Sequence, residues 1–446
     1  MARHLLPGRF FGRYAMIALP RERVSGRREF FMKQSIGVDE AREIILAAVR
    51  PLGSEKVALP ESLGRILTET ATSPWDIPPL DNSAMDGYAV RTADVADATR
   101  DNPVRLEVLE DLAAGRIAGQ AVRPGTAIRI MTGAPIPEGA NAIVRVEDTE
   151  GTGGEVRILV SVEEGLHVRR AAEDVSAGQK VIETGTPVTP AVVGMLAGLG
   201  RAFIRVSQRP RVAVLSTGDE LVDVDGDRSG GKIIATNTYC LAAQVREAGA
   251  IAISLPIAPD RPDVIESRFR EAMSCDVILS SGGVSVGDYD FIKEVLGRLG
   301  SEMKFWRVAM KPGHPLAFGI LGGKPAFGLP GNPVSCMVSF EQFVRPALRK
   351  MMGHPGLFRP VVRARLGESL RQKPGRRTFF RACVSREQGG YAVVTTGNQS
   401  SGVLLSMVRA NGLLIFPEEK AEMAEGSSVD VQIIDPAFWQ VEEPGL

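Results

Sequence analysis

Residues 275–300 read CDVILSSGGVSVGDYDFIKEVLGRLG. Val277 to Leu279 are an apolar β-type run, too short for a helix and suited to a strand covered on both faces. Phe291, Ile292, Val295, Leu296 and Leu299 then recur at helical spacing, so a strand-to-helix turn lies between. The turn carries Ser280, Ser281, Gly282, Gly283, Ser285, Gly287, Asp288 and Asp290. Glycine tolerates positive φ and lets a ligand approach bare amides, and an amide-lined turn at a helix start favours an anion. Two aspartates would repel that anion unless a divalent cation sits between them, so the pairing points to a Mg²⁺-bridged phosphate. The structural alternative is that Asp288 caps the helix and Asp290 complements its dipole. Pattern alone leaves both readings open.

Before this stretch the chain alternates strand and helix. Val212 to Leu215 lead into STGDEL, TYCLAAQVREAGA reads as a helix, and Ile251 to Leu255 form the next strand before PIAPD. A helix with Ile265, Phe269 and Ala272 on one face follows. Three βα units predict a parallel sheet whose ligand cleft lies beyond the carboxyl ends of the strands. The loops there bring Thr217, Gly218, Asp219, Glu220 and Asp260 toward the central turn. Asp260 equally suits a cap for the helix after it, with Pro262 in the first turn. Beyond residue 300, FWRVAMKPGHPLAFGIL reads as two strands around a turn holding Lys311 and His314. In LPGNPVSC, Asn332 is placed to cap, Pro333 suits the first helical position and Ser335 lies in the first turn. Free amides, a hydroxyl and Lys311 would suit a tetrahedral oxyanion; the bland alternative is a well-capped helix beside a surface lysine.

Residues 1–34 are rich in arginine, lack the apolar core of a secretory signal, and read as a disordered or over-extended N-terminus. From Asp39, placed to cap, a helix with Ala41, Ile44, Ile45, Ala48 and Val49 on one side runs to Pro51. Pro74, Pro78 and Pro79 exclude regular helix before DNSAMDG, a rigid exposed loop leading to the strand Tyr88 to Val90. VRLEVL, AIRIMTG, AIVRVED and LHVRR predict a small β domain, with Thr132 and Gly133, and Glu173 and Asp174, in its loops. VTPAVVGMLAGLG predicts a helix opened near Pro190 and closed at Gly200. After residue 361 short strands return and predict a second β domain, with Arg377, Arg381, Ser400 and Ser401 as candidate anion ligands.

Composition narrows the class. The 446 residues carry 53 basic and 53 acidic side chains, so no global charge steers the chain to nucleic acid or a membrane. No run approaches the ~18 apolar residues that a membrane helix needs. The four cysteines form no CxxC pair and read as reduced cytoplasmic thiols rather than a disulfide frame or zinc site. There is no HExxH and no GxxxxGK[ST], which argues against a zincin or a P-loop NTPase.

Taken in order, DNSAMDGYAVR, IRIMTGAPIPEGANAIV, AEDVSAG, VAVLSTGDEL, VILSSGGVSVGDYD, KPGHP, LPGNPVS and TTGNQSSG resemble the MoeA family, the molybdopterin molybdenumtransferases, whose eukaryotic relative is the E domain of gephyrin. The likeness spans nearly everything from Ile36 to Ile434. It implies a multidomain α/β and β protein: a discontinuous helical and extended segment (35–80 plus 166–207), a β domain (81–165), a central parallel α/β domain of MoaB/MogA type (208–353), and a C-terminal β-barrel-like domain (357–446). It also implies a homodimer that inserts molybdate into adenylylated molybdopterin with Mg²⁺ and releases AMP. By resemblance, Glu220, Asp260, Asp288 and Asp290 handle the metal and pyrophosphate. Thr217, Gly218, Ser281, Gly282, Gly283 and Ser285 line the turn, and Lys311, Ser335, Arg381 and Ser400 hold molybdate. Asp86, Thr132 and Asp174 match positions that reach the cleft from the partner subunit. An adenylyltransferase acting before this enzyme and the molybdoenzymes that receive the product are the implied protein partners.

Two departures stand out. KPGHP places His314 where many relatives carry a second lysine, which predicts weaker molybdate binding as pH rises from 6 to 8. QSSGVLLS lacks the arginine that some relatives carry after the serines. The alternatives are a molybdopterin adenylyltransferase, since the α/β domain alone resembles that fold, and a gephyrin-like peptide-binding scaffold. The flanking β domains argue against the first and the intact acidic loops against the second.

Overall fold

The computed structural model describes residues 35–151, 153–283 and 291–440. Ser285, Asp288 and Asp290, together with the N-terminal stretch 1–34, lie outside the described residues.

The α/β unit is built on one six-stranded sheet in the order Ile251–Ser254, Arg211–Ser216, Val277–Ser281, Lys324–Leu329, Pro315–Leu321, Glu302–Arg307. The first four strands are parallel; Pro315–Leu321 runs antiparallel to both its neighbours, Lys324–Leu329 and Glu302–Arg307. Val277–Ser281 lies inside this sheet and every one of its residues is buried, which accounts for the unbroken apolar run with no polar alternation. Helix Phe291–Arg298 buries Ile292, Val295 and Leu296 on one side of the sheet, with Ile265 and Phe269 of helix Pro262–Ala272. The other side holds Leu241, Val245, Phe305, Phe318 and Phe327. Phe318 stacks at tilted angles on Phe305 and Phe327, with centroids 5.7 and 4.9 Å apart. Burial of each such ring is worth about 2–3 kcal/mol.

Helix Val38–Ala48 joins that second core. The sequence reading grouped it with the extended segment, yet its buried residues Val38, Ala41 and Ile45 pack in the same cluster as Phe343 and Leu348. Asp39 does not cap it: Gly37 holds the cap position, and Asp39 sits in the first turn bonded to Arg42 and Arg377. A π-helical turn, Phe340–Val344, directs Gln342 between Arg42 and Gln432, tying the N-terminal helix to the C-terminal unit.

The extended unit pairs Ser54–Ala58 with Phe203–Ser207, and Lys180–Ile182 with Ala71–Thr72. Its helix, Pro190–Gly198, has Thr189 as cap, with the hydroxyl accepting from Val192 N at 3.4 Å. The β unit is a six-stranded sheet in which Tyr88 and Val90 enter one core and Ala89 the other, the period-2 pattern of a sheet covered on both faces. LHVRR adds no strand to it, since Val168–Arg169 pairs only with Asn82–Ser83. In the C-terminal unit, Arg377–Glu387 pairs with both Gly390–Thr395 and Gly412–Phe416, closing the strands into a barrel and leaving no open edge between them. Met310–Lys311 adds in parallel to Arg377–Thr378, so the barrel docks directly on the α/β unit.

Candidate functional site

The carboxyl ends of the parallel strands are tied to one another by backbone. Thr217 N donates to the Ser281 carbonyl at 3.2 Å, Gly218 N to Ala258 at 3.1 Å, and Gly282 N to Leu329 at 3.2 Å. Gly282 and Gly283 have φ of +95° and +65°. A Cβ on Gly282 would lie 2.7 Å from the Thr217 carbonyl oxygen, a backbone atom that cannot yield, so the turn requires glycine there. Over this turn lies a cavity of about 160 Å³ lined by Thr217, Glu220, Asn237, Ser281, Gly282 and Asn332 among others.

Two of its wall residues are buried polar groups with an unmatched atom. Thr217 is 4% exposed and Asn237 8% exposed, and neither Thr217 Oγ1 nor Asn237 Oδ1 has a hydrogen-bond partner. The orientation of Asn237 is forced: its Nδ2 donates to the Gly331 carbonyl, which can only accept, and to Ser281 Oγ, each at 2.7 Å. Oδ1 is therefore the spare acceptor. A buried polar atom left unpaired costs roughly 1–3 kcal/mol, and a ligand in the cavity is the natural source of compensation.

The acidic loops meet beside the cavity. Asp219 Oδ1 accepts from Asp260 N at 3.0 Å, and Asp260 Oδ2 accepts from Asp219 N at 3.4 Å. Asp260 does not cap the helix that follows it, where Arg261 holds the cap position with no side-chain bond. Burial pushes the Asp260 carboxyl above its ordinary range; the Asp219 amide bond opposes this, and the charges of Asp219 and Glu220 add to it. Glu220 lines the cavity itself. Among the described residues no group of three or more His, Cys, Asp or Glu converges on one metal position. Glu220 and Asp260 nonetheless fit Mg²⁺: they offer hard oxygens on mutually repelling carboxylates, a donor set that a divalent cation would relieve.

Arg381, expected to hold an anion, lies in the barrel. Its guanidinium, 1% exposed, donates through Nε to Ser406 Oγ at 3.1 Å and through Nη2 to the Ser400 carbonyl at 3.2 Å. Among the described residues no carboxylate pairs with it, and burial pushes it down to about 10. Gln399 clasps the Arg381 backbone from both ends, accepting from its N–H at 2.9 Å and donating to its carbonyl at 3.1 Å. Val334 N donates to the Ser401 carbonyl at 3.1 Å, so the loop carrying Ser400 abuts the helix whose Asn332 and Pro333 wall the cavity.

Several expectations change here. Arg377 is not free for an anion, because Asp39 and Glu418 both hold it. Asn332 occupies the cap position of helix Pro333–Ser339 without a side-chain cap bond. One of the amides read as open at that helix start is taken by Ser401. Ser335 is buried in the first turn, and Lys311 is exposed with Nζ on Gln372 Oε1 at 3.2 Å. His314 places Nδ1 2.7 Å from the Val308 carbonyl, so the ring braces its own turn.

In the β unit, Thr132 donates through both N and Oγ1 to Asp86 Oδ1, each at 2.7 Å, and these bonds hold the Asp86 carboxyl below its ordinary range. Asp174 lies in the loop where its N–H donates to the Ile77 carbonyl. None of Asp86, Thr132 and Asp174 lines the α/β cavity of this chain. Sequence reasoning missed Asn237, Ser406 and Gln399. Asn237 sits near a helix start within NTYCL, where asparagine signals nothing beyond a capping preference.

The chain matches the models for the MoeA N-terminal region (domains I and II) over 36–200, the probable molybdopterin-binding domain over 213–350, and the MoeA C-terminal region (domain IV) over 363–434. It is 43% identical over 402 residues to molybdopterin molybdenumtransferase 2 of Mycobacterium tuberculosis, covering 88% of this chain and 98% of that one. It is 35% identical over 404 residues to the molybdopterin molybdenumtransferase of Bacillus subtilis, covering 90% and 94%. The crystal structure of the molybdopterin biosynthesis MoeA protein from Pyrococcus horikoshii matches with a TM-score of 0.75 at 31% identity, covering 90% of this chain and all of that one.

Proposed function

The chain belongs to the MoeA family, and from that premise we propose that it inserts molybdate into adenylylated molybdopterin, with Mg²⁺ and with release of AMP. It is a transferase of molybdenum cofactor biosynthesis. Arg381 carries the oxyanion part of the reading: a guanidinium buried in the barrel with no acid beside it among the described residues would have its desolvation offset by an anion.

The adenylylated substrate occupies the cavity lined by Thr217, Ser281 and Gly282, although the Gly282 N–H read as open to it is taken by the Leu329 carbonyl. The spare acceptor of Asn237 and the Thr217 hydroxyl face donors on that substrate. Glu220 and Asp260, with Asp288 and Asp290, would hold Mg²⁺, which supplies the charge neutralisation that lets a phosphoanhydride and molybdate approach each other. Lys311, Ser335, Ser400 and Arg381 hold molybdate, and His314 borders it from the neighbouring turn. Asp86, Thr132 and Asp174 complete the site from the second subunit of a homodimer. The protein acts in the cytoplasm, after an adenylyltransferase and before the molybdoenzymes that take up its product.

The test combines purified protein, adenylylated molybdopterin, Mg²⁺ and either molybdate or tungstate, and follows AMP. Oxyanion-dependent AMP release is expected. Formation of adenylylated molybdopterin from ATP and free molybdopterin, without such release, would overturn the reading in favour of an adenylyltransferase.

A further inference from the structure

The chain passes between the α/β unit and the extended unit twice, once between helix Val38–Ala48 and strand Ser54–Ala58 and once between strands Phe203–Ser207 and Arg211–Ser216. The crossings run side by side, with Gln208 N donating to the Gly53 carbonyl at 2.9 Å. Beside them is a cavity of about 30 Å³ walled by Gly64, Arg65, Ser207, Arg209, Met352 and His354, so both units and one crossing contribute to it.

Every titratable wall residue is basic. Arg65 is 8% exposed and bonded to Glu55 and the Ser207 carbonyl. Arg209 makes no hydrogen bond or ion pair among the described residues; burial and the Arg65 charge disfavour its cation, and the Glu55 charge partly offsets them. His354 has a determined tautomer: Arg349 Nη2 lies 3.2 Å from its Nδ1, and a guanidinium can only donate, so Nδ1 accepts and the proton sits on Nε2. Burial, with Arg349 and Arg345, pushes the ring down to about 4, so it is a neutral N–H donor at neutral pH. The remaining charges nearby are spoken for, since Glu341 pairs with Arg345 and Arg359, and Glu55 with Arg65. Two guanidinium groups and a neutral imidazole thus wall one small space whose lining holds no acid, Glu55 being bonded to Arg65.

We propose that this cavity binds a small anion of chloride or carboxylate size, which pins the extended unit to the α/β unit at the crossing. A water needs about 10–15 Å³ of such space, so the cavity has room for roughly two oxygen-sized atoms and excludes tetrahedral oxyanions such as molybdate. The anion offsets the Arg65–Arg209 repulsion and receives the Nε2–H of His354. This site is separate from the one at Arg381, and its test needs no substrate.

The test measures the melting temperature of the whole protein at matched ionic strength in sodium chloride, sodium formate and sodium gluconate, the last being too bulky to enter. Chloride, formate or both are expected to raise it by at least about 3 °C with saturation in the millimolar range. A rise with formate alone assigns a carboxylate and one with chloride alone a halide. Arg209→Gln, at an exposed residue with no partner to lose, and His354→Gln are each expected to abolish the rise. Where chloride raises the melting temperature, crystals soaked in bromide should show an anomalous peak between Arg209 and His354. Equal melting temperatures in all three salts, a rise that persists in Arg209→Gln, or a chloride-induced rise with bromide absent from the cavity would overturn the proposal.

Discussion

Asn237 Nδ2 donates to Ser281 Oγ at 2.7 Å, joining the helix that follows the first strand to the carboxyl end of the central one. The same nitrogen reaches the Gly331 carbonyl at 2.7 Å, so one amide group holds two turns of the site together. Asn237→Ala is expected to destabilise the fold by roughly 1–3 kcal/mol, as buried partners lose their donor. Asn237→Asp should be worse, because a carboxylate set against the Gly331 carbonyl can neither donate nor be solvated. Urea unfolding of both variants checks this ranking; a more stable aspartate variant would refute it.

Arg381 separates folding from function. Arg381→Met keeps volume and removes a buried cation that has no acid partner, so stability should hold within about 1 kcal/mol or rise, while molybdate-dependent AMP release is lost. Arg381→Lys retains the charge but not the planar fork, and should raise the molybdate KM about tenfold or more. An unchanged KM in the lysine variant would remove Arg381 from the anion site.

Asp260 should respond oppositely with and without metal. Its raised carboxyl makes the charged form costly, so any stability it contributes is present at low pH and is lost as pH rises through the folded-state value. Asp260→Asn should therefore be at least as stable as the parent at pH 7 in EDTA, yet gain nothing from added Mg²⁺ and lose AMP release by about 100-fold or more. Melting curves with and without Mg²⁺ read this directly. Equal Mg²⁺ stabilisation of the parent and the variant would exclude Asp260 as a ligand.

His354 predicts an acid-sensitive hinge in gluconate buffer. Its folded value is about 4 against 6.5 for the free side chain, so the unfolded chain takes up the proton first. Stability should fall between about pH 6.5 and 4, by up to about 3 kcal/mol, and the parent-minus-variant difference with His354→Gln isolates that loss from the titration of carboxyls. A difference that stays flat across this window would contradict the buried neutral ring.

The Asp86–Thr132 pair tests assembly. Asp86→Asn and Glu220→Gln should each be inactive alone if the β unit of one subunit completes the cavity of the other. After mixing and subunit exchange, about a quarter of parental activity should return, since half of the dimers are mixed and each carries one intact site. Silence from a mixture proven to have exchanged would put both residues in the same subunit's site.

The α/β unit was legible from local sequence because its devices are local. A strand buried on both faces favours a continuous apolar run, as Val277 to Leu279 form, and a turn crowded by backbone must be glycine, as at Gly282. Those constraints act on neighbouring residues and leave a readable pattern. The capping assignments failed for the opposite reason. Asp39, Asp260 and Asn332 all have the residue type of a cap, but distant partners or backbone geometry claimed them: Arg377 for Asp39, the Asp219 amide for Asp260, and no side-chain bond for Asn332.

The sequence by itself determined the order of units, the glycine turn and the acidic loops, since these follow from chain-local sterics and hydrophobic periodicity. Only the tertiary structure decided that Arg377 is consumed by Asp39 and Glu418 while Arg381 has no acid beside it among the described residues, and that Arg65, Arg209 and His354 share one cavity. Whether a charge is free depends on which distant carboxylate reaches it, and that is a property of packing between segments far apart in the chain.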